Sequence, residues 1–281
     1  MNKLKILITG GKGFIAARLT QLLQGNNTVQ NPDRKALDIT NHRAVKNFIQ
    51  DFQPDLIFHT AGMSTTEGCE ANQQLAYQIN VEATKCIAEQ ARAIGAKLIF
   101  FSTEQLFNGN PEKGPYTEES IPQPDTYYGK TKLWAEEAIR EVCPEHWILR
   151  LTWVFGMPER EGKIGANILW STLQAAYQKT DIKAAPNEYR GLTDVYELLH
   201  ALTQITRIPF GTYHFGSEND LSRHEVVRQI MQTVNIPLDL LKEKKAPYRD
   251  IRLANGKLAE AGIHFEKSEV ALQKAIEAYQ L

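Results

Sequence analysis

The run Leu4-Lys5-Ile6-Leu7-Ile8-Thr9, then Gly10-Gly11-Lys12-Gly13-Phe14-Ile15-Ala16, then residues 17–23, constrains the fold more than any other stretch of this chain. A short buried strand passing through glycines into a helix is the opening of a dinucleotide-binding unit. Gly10 permits the tight turn, and Gly13 lets backbone approach a pyrophosphate. Ala16 is small enough for the helix to pack on the strand. Phe14 and Ile15 fall in the first helical turn, where free N–H groups and the positive dipole end favour phosphate. The spacing is G-x-x-G-x-x-A rather than G-x-G-x-x-G.

The strand pattern then recurs with helices between. Residues 28–30 are a poor second strand, but Asn31-Pro32-Asp33-Arg34-Lys35 falls where an adenosine ribose would lie. An acid there holds the 2′-hydroxyl of NAD(H), and a base accommodates the 2′-phosphate of NADP(H). Asp33 points one way, Arg34 and Lys35 the other, and the two bases tilt the reading to NADP(H). Asp38 and Ile39 continue this rim, with Asp38 near the adenine. Thr40 or Asn41 caps a helix through Gln50. Residues 55–62 form a third strand whose small end, Ala61-Gly62, lets a cofactor pass close to backbone. His59, inside that apolar run, reads as a core histidine. Residues 72–93 read as mostly helical, with Asn80 near the middle and Gly95 as the stop. Residues 97–103 and 147–151 supply the fourth and fifth strands.

These elements predict an α/β fold, a Rossmann-type doubly wound parallel sheet over residues 1–156. A helix near 194–205 is expected to return to it. Residues 157–281 read mostly as a smaller α/β substrate-binding lobe. It comprises a polar loop at 157–165, a helix at 167–178, a short strand near Ile182 and a strand-like stretch at 212–215. A helix capped by Ser222 and a terminal helix from Ser268 complete it.

Chemistry enters at Thr126-Tyr127-Tyr128-Gly129-Lys130-Thr131-Lys132. Tyr128 and Lys132 are four apart, on one helical face. A free phenol titrates near about 10, and a nearby ammonium is expected to bring that toward the working range. Such a pair can exchange a proton with a carbonyl being reduced or an alcohol being oxidised. A half-exposed tyrosine beside a solvated lysine has the same spacing. Thr103, at the carboxyl end of the fourth strand, can donate to the substrate oxygen that Tyr128 reaches. Glu104, Cys69 and His59 are poorly placed for a second acid/base pair.

Among 281 residues the formal net charge is -1, which supplies no field for nucleic acid or anionic membrane. No apolar run approaches the ~18 residues that cross a bilayer. Residues 1–5 lead into a strand pattern without a signal peptide. The three cysteines (Cys69, Cys86, Cys143) read as reduced thiols. A cytoplasmic protein is expected. No His/Cys/Asp cluster has ligand spacing, so no metal is expected.

With the glycine turn, Thr103, Tyr128 and Lys132 in this order, the chain resembles the extended short-chain dehydrogenase/reductase superfamily. Within it, the resemblance is to the dTDP-4-dehydrorhamnose reductases. It covers nearly the whole length and also rests on Leu37-Asp38-Ile39-Thr40, Phe101-Ser102-Thr103-Glu104, Pro115-Tyr116-Thr117-Glu118, Glu136, Leu149-Arg150, Trp153-Val154 and Arg252-Leu253. The resemblance implies NAD(P)H-dependent reduction of the C4 ketone of a nucleotide-linked deoxysugar, as in dTDP-L-rhamnose biosynthesis. Tyr128 would protonate the alkoxide, Lys132 would hold the nicotinamide ribose, and Thr103 would orient the substrate oxygen. Trp153 would pack on the sugar, beside Glu104, and Asn167 lies where the family contacts the nucleotide. Some relatives pair, so a homodimer is an expectation. The departures, Glu104-Gln105 for Asp-Tyr, Met63-Ser64 for Tyr-Thr and Leu192-Thr193 for Pro-Thr, all lie on the substrate side. Two alternatives stay open. One is a nucleotide-sugar epimerase or dehydratase of the same fold. The other is a non-catalytic NADP-binding subunit resembling the regulatory beta subunit of methionine adenosyltransferase.

Overall fold

The computed structural model describes residues 3–159 and 167–281. Its first half runs β1 (Lys5–Thr9), α1 (Phe14–Leu23), β2 (Thr28–Gln30), α2 (His42–Phe52), β3 (Leu56–His59), α3 (Thr66–Ala71), α4 (Gln73–Tyr77), α5 (Ala83–Ile94), β4 (Lys97–Thr103), α6 (Tyr127–Val142) and β5 (His146–Leu151). The second half runs β6 (Trp153–Phe155), α7 (Ile168–Tyr177), β7 (Ile182–Ala184), β8 (Glu188–Tyr189), β9 (Leu192–Asp194), α8 (Val195–Leu202), β10 (Gly211–Phe215), α9 (Arg223–Thr233), β11 (Leu241–Glu243), β12 (Arg249–Asp250), α10 (Gly256–Glu260) and α11 (Ser268–Ala278).

Six parallel strands form the central sheet in the order β10-β5-β4-β3-β1-β2. Its strands are apolar on both faces because both are covered. Alternation along each strand sorts the side chains. Ile6, Ile8, Phe58, Ile99 and Phe101 pack on the face that α1 and α8 cover. Leu7, Ile57, Leu98, Phe100 and Ile148 pack under α2, α5 and α6. A third cluster, including Phe155, Leu169, Val227, Ile230 and Ile276, belongs to the outer lobe. The strand order reverses between β1 and β3, which sets the ends of those two strands apart as the ligand crevice.

Three elements differ from the sequence reading. Residues 28–30 do form a strand, paired with β1. Only Val29 is half-buried there, so an edge strand held by backbone pairing leaves little apolar signal. Residues 211–215, read as part of the outer lobe, are the sixth strand of the main sheet. Tyr213 and Phe215 feed the α1/α8 face, and the His214 N–H donates to Glu118 Oε1 at 2.8 Å. The helical stretch at 72–93 is interrupted by a π turn at Gln78–Glu82. The 157–165 loop lies mostly outside the described residues. Elsewhere the local signals hold. Asn41 accepts from the Ala44 N–H, and Ser222 and Glu225 form a capping box at α9. Asp194 caps α8 through the N–H groups of Tyr196 and Glu197. His59 is a core residue, bonded to Thr9 Oγ1 at 2.8 Å and Thr84 Oγ1 at 2.9 Å. Burial pushes its imidazole down to about 3.

Candidate active site

Helix α6 begins where Thr126 Oγ1 accepts the Gly129 N–H at 3.2 Å. Gly129 is required by packing: a Cβ there would lie 2.7 Å from Pro124 Cβ and 2.8 Å from the Gln105 carbonyl oxygen. The bare backbone lets α6 seat on the 3-10 turn Glu104–Phe107 that follows β4. Tyr128 thereby reaches Thr103. Thr103 Oγ1 accepts the Gln105 N–H at 3.2 Å, and its hydroxyl lies close enough to ease the Tyr128 phenol's ionisation.

Lys132, one turn on, is buried. Its Nζ donates to the Phe101 carbonyl at 2.6 Å and sits 4.3 Å from the centre of the Phe100 ring. Burial pulls the ammonium down to about 8, with Glu136 opposing. The expected acidifying effect of Lys132 on Tyr128 is not what this arrangement produces. Withdrawal from water pushes the phenol up to about 12, the Thr103 hydroxyl eases it, and the charges of Cys69 and Glu104 push it further up. The physical reason is burial, which the Lys132 ammonium, anchored to a β4 carbonyl, does not offset. Cys69 and Glu104, set aside on sequence position, lie within electrostatic reach of the phenol.

Glu136 continues the buried face of α6 and anchors it. Its carboxylate accepts from Ser102 Oγ at 2.6 Å, from Arg140 at 2.6 Å, and from Arg150 twice, at 3.0 and 2.9 Å. Arg150 and these hydrogen bonds hold the carboxyl below its usual range although burial opposes them. A buried charge persists only when paired this fully.

Facing this group across the β1/β3 crevice is the glycine turn. Gly10 has φ of +73°, and a Cβ there would stand 3.0 Å from Ala61 Cα. A Cβ on Gly11 would sit 1.9 Å from the Asn31 carbonyl oxygen. Gly13 is the N-cap of α1 and places no side chain over the first-turn N–H groups. Phe14 and Ile15 are half-buried against the sheet cluster, so they present backbone to a ligand. Ala61 and Gly62 enter a loop held by Asn80, which the sequence reading noted only as a helical position. Asn80 Oδ1 accepts the Met63 N–H at 2.8 Å, while Nδ2 donates to the Met63 carbonyl at 2.9 Å and Thr131 Oγ1 at 3.0 Å. Its place in a π turn, common at functional sites, needed the fold to be seen. Asp38 accepts from the Thr40 N–H and hydroxyl, Ile39 is buried, and Arg34 is exposed. Glycines whose Cβ would clash and an uncapped helix start fit a dinucleotide.

The outer lobe lays a charged wall beside Thr103. Glu104 is buried, with Oε1 3.4 Å from Arg190 and Oε2 without a hydrogen-bond partner. Burial pushes its carboxyl up to about 7 against the pull of Arg190 and Arg249. Arg190 also pairs with Glu188 at 3.0 Å, Glu188 with Arg223 at 3.2 Å, and Arg249 donates to Gln105 Oε1 at 2.7 Å. The Trp153 ring faces Arg190 and Arg223, at 5.0 and 5.4 Å. Asn167 is buried at the start of α7, its Oδ1 accepting from Trp170 N and its Nδ2 donating to the Gly156 carbonyl. The sequence reading gave arginines 190, 223 and 249 no site role, because nothing local in their segments brings them together beside Thr103.

Among the described residues no cluster of His, Cys, Asp or Glu has metal-binding geometry, and no helix is long and apolar enough to cross a membrane. The chain is 29% identical to methionine adenosyltransferase 2 subunit beta of Bos taurus, over 85% of this chain and 74% of that subunit. It is 29% identical to a dTDP-4-dehydrorhamnose reductase of Aggregatibacter actinomycetemcomitans, over 79% of this chain and 76% of that enzyme. The crystal structure of dTDP-4-dehydrorhamnose reductase from Bacillus anthracis, in complex with NADP, superposes with a TM-score of 0.89. It is 24% identical and covers 99% of this chain and 100% of that one, which shows a shared fold. The RmlD substrate binding domain family matches residues 4–276, and with that extent the chain belongs to this family.

Proposed function

We propose that this protein is an NADP(H)-dependent reductase of a nucleotide-sugar 4-ketone, of the dTDP-4-dehydrorhamnose reductase type. The observation that carries the reading is the Thr103–Tyr128 contact with Lys132 one turn away, at the carboxyl edge of the sheet and across from the glycine turn. Gly10, Gly13 and the Ala61-Gly62 loop would hold the cofactor, which would supply the hydride for the carbonyl carbon. Tyr128, protonated throughout the neutral range, gives its proton to the forming alkoxide. Thr103 orients the same oxygen. Lys132, tied to the Phe101 carbonyl, holds its ammonium where a ribose hydroxyl can be met. Trp153 and Glu104 line the sugar side, and Asn167 fixes the α7 end of the nucleotide side. Residues 1–156 with the 194–205 helix carry the cofactor, and 157–281 mostly the sugar. A cytoplasmic homodimer is part of this reading.

The test is oxidation of NADPH and of NADH, followed at the nicotinamide absorbance, with dTDP-4-dehydrorhamnose. Rapid loss of NADPH absorbance supports the reading. The match to a methionine adenosyltransferase subunit motivates a second one, a cofactor-binding subunit without turnover. NADPH that binds but is not consumed with any nucleotide-sugar ketone or epimerase substrate would favour it.

A further inference from the structure

The backbone on either side of the Tyr128 side chain is tied to one segment, the residues that follow β3. Ahead of it, the Tyr127 N–H opens α6, where a helix supplies no acceptor of its own. Glu70 Oε1, 57 positions away in sequence, accepts that N–H at 2.7 Å. Gln73 Nε2 lies 3.4 Å from the second oxygen, so the carboxylate is oriented from its own side. A carboxylate at a helix start makes a charge-assisted hydrogen bond and complements the positive dipole end. Behind it, the Tyr128 carbonyl accepts from Thr131 Oγ1 at 2.8 Å, and Thr131 Oγ1 accepts from Asn80 Nδ2 at 3.0 Å. Asn80 in turn holds both backbone groups of Met63, whose carbonyl also accepts from Cys69 Sγ at 3.5 Å. Glu70 lies on α3, which leaves the Ala61-Gly62-Met63 loop after Ser64 and Thr65. Both ties therefore lead back to the loop proposed for the cofactor.

We infer that Glu70 is a positioning residue for Tyr128: it clips the start of α6 to the cofactor loop, so that a seated cofactor fixes where the phenol stands. Glu70 acts through the Tyr127 N–H and touches neither substrate nor cofactor. The Asn80–Thr131 link holds the far side of the same residue, and the phenol is set between the two. On the reading of this crevice as a reductase site, binding of the dinucleotide and placement of the proton donor become one event. Loss of the Glu70 tie would leave α6 folded on its buried face and Thr126 cap, but free to shift at its first turn.

The experiment compares the full chain as wild type, Glu70→Ala and Glu70→Gln. It measures kcat and KM for dTDP-4-dehydrorhamnose, the NADPH Kd by calorimetry, and amide hydrogen exchange at residues 127–129 with and without NADPH. Glu70→Ala should lower kcat by about tenfold with KM and Kd moved by less than about twofold, since a misplacement of about 1 Å can cost about 10²-fold. Glu70→Gln should recover most of the rate, because its amide oxygen still accepts the Tyr127 N–H. NADPH should slow exchange at 127–129 in wild type and Glu70→Gln, and not in Glu70→Ala. Unchanged kcat in Glu70→Ala, or a glutamine variant as slow as the alanine one, would overturn the role. So would a fall in kcat matched by an equal loss of NADPH affinity, because Glu70 would then serve the cofactor loop alone. Exchange in wild type that does not respond to NADPH would overturn the coupling. If exchange responds as expected but the ketone is not reduced, the tie stands and the proposed substrate does not.

Discussion

Two walls face each other at the carboxyl edge of the sheet, and they are assembled differently. On the side proposed for the cofactor and proton transfer, residues 10–15, 101–103 and 126–136 are contiguous runs at strand ends and helix starts. On the side proposed for the sugar, Glu104, Trp153, Glu188, Arg190, Arg223 and Arg249 come from separate elements and meet as one charged cluster. The electrostatics differ as well. Glu136 behind the proton-transfer groups has every charge-assisted bond its carboxylate needs, whereas Glu104 keeps one oxygen unpartnered. The first wall holds a fully paired carboxylate and the second a partly paired one.

Glu136→Ala gives the largest change that separates the walls. Removing one member of a fully buried ion pair typically costs about 3–5 kcal/mol, so urea denaturation should show the midpoint falling steeply at an unchanged slope. A loss no greater than that of an exposed pair would dissolve the distinction. Tyr128→Phe tests the chemistry of the same wall. Turnover should fall by about 10²-fold or more with NADPH affinity nearly unchanged, because a positioned general acid contributes roughly that much. Unaltered turnover would remove Tyr128 from the mechanism.

Glu104→Gln probes the opposite wall through pH. The folded-state value of Glu104, about 7, lies above the ordinary 4.5, so the folded protein holds this proton more tightly than the unfolded chain does. Its contribution to stability is complete below about pH 4.5 and is lost as pH rises through about 7. The thermal midpoint of wild type should therefore fall between pH 5 and 8 more than that of the glutamine variant. Parallel midpoint curves would mean that Glu104 is ionised throughout. The smallest effect is expected from Asn41→Ala, remote from both walls: about 1 kcal/mol of stability, from a lost cap, with kinetics unchanged. A kinetic defect there would show that neither wall is independent of the α2 side.

Legibility in the sequence follows the same division. The glycine turn, Thr103 and the Tyr128–Lys132 pair could be read because each obeys a local rule of turn, strand end or helical spacing. What those residues do to each other could not: spacing brought Lys132 to one face with Tyr128 but did not reveal that its ammonium bonds the Phe101 carbonyl. Glu104 and Cys69 looked misplaced, although the fold sets both close enough to raise the phenol. Residues 28–30 form an edge strand that backbone pairing rather than apolar periodicity makes, and 212–215, legible as a strand, could be assigned to the main sheet only through its pairing with β5.

By itself, then, the amino-acid order determined a parallel Rossmann-type sheet, a glycine turn at a helix start and a helix with Tyr128 and Lys132 on one face, because each depends on contacts within about one turn or one strand of its own residues. Only the tertiary structure decided the upward shifts of the Tyr128 phenol and the Glu104 carboxyl and the arginine wall over Trp153. Those depend on burial and on partners from distant segments, and no local pattern encodes either.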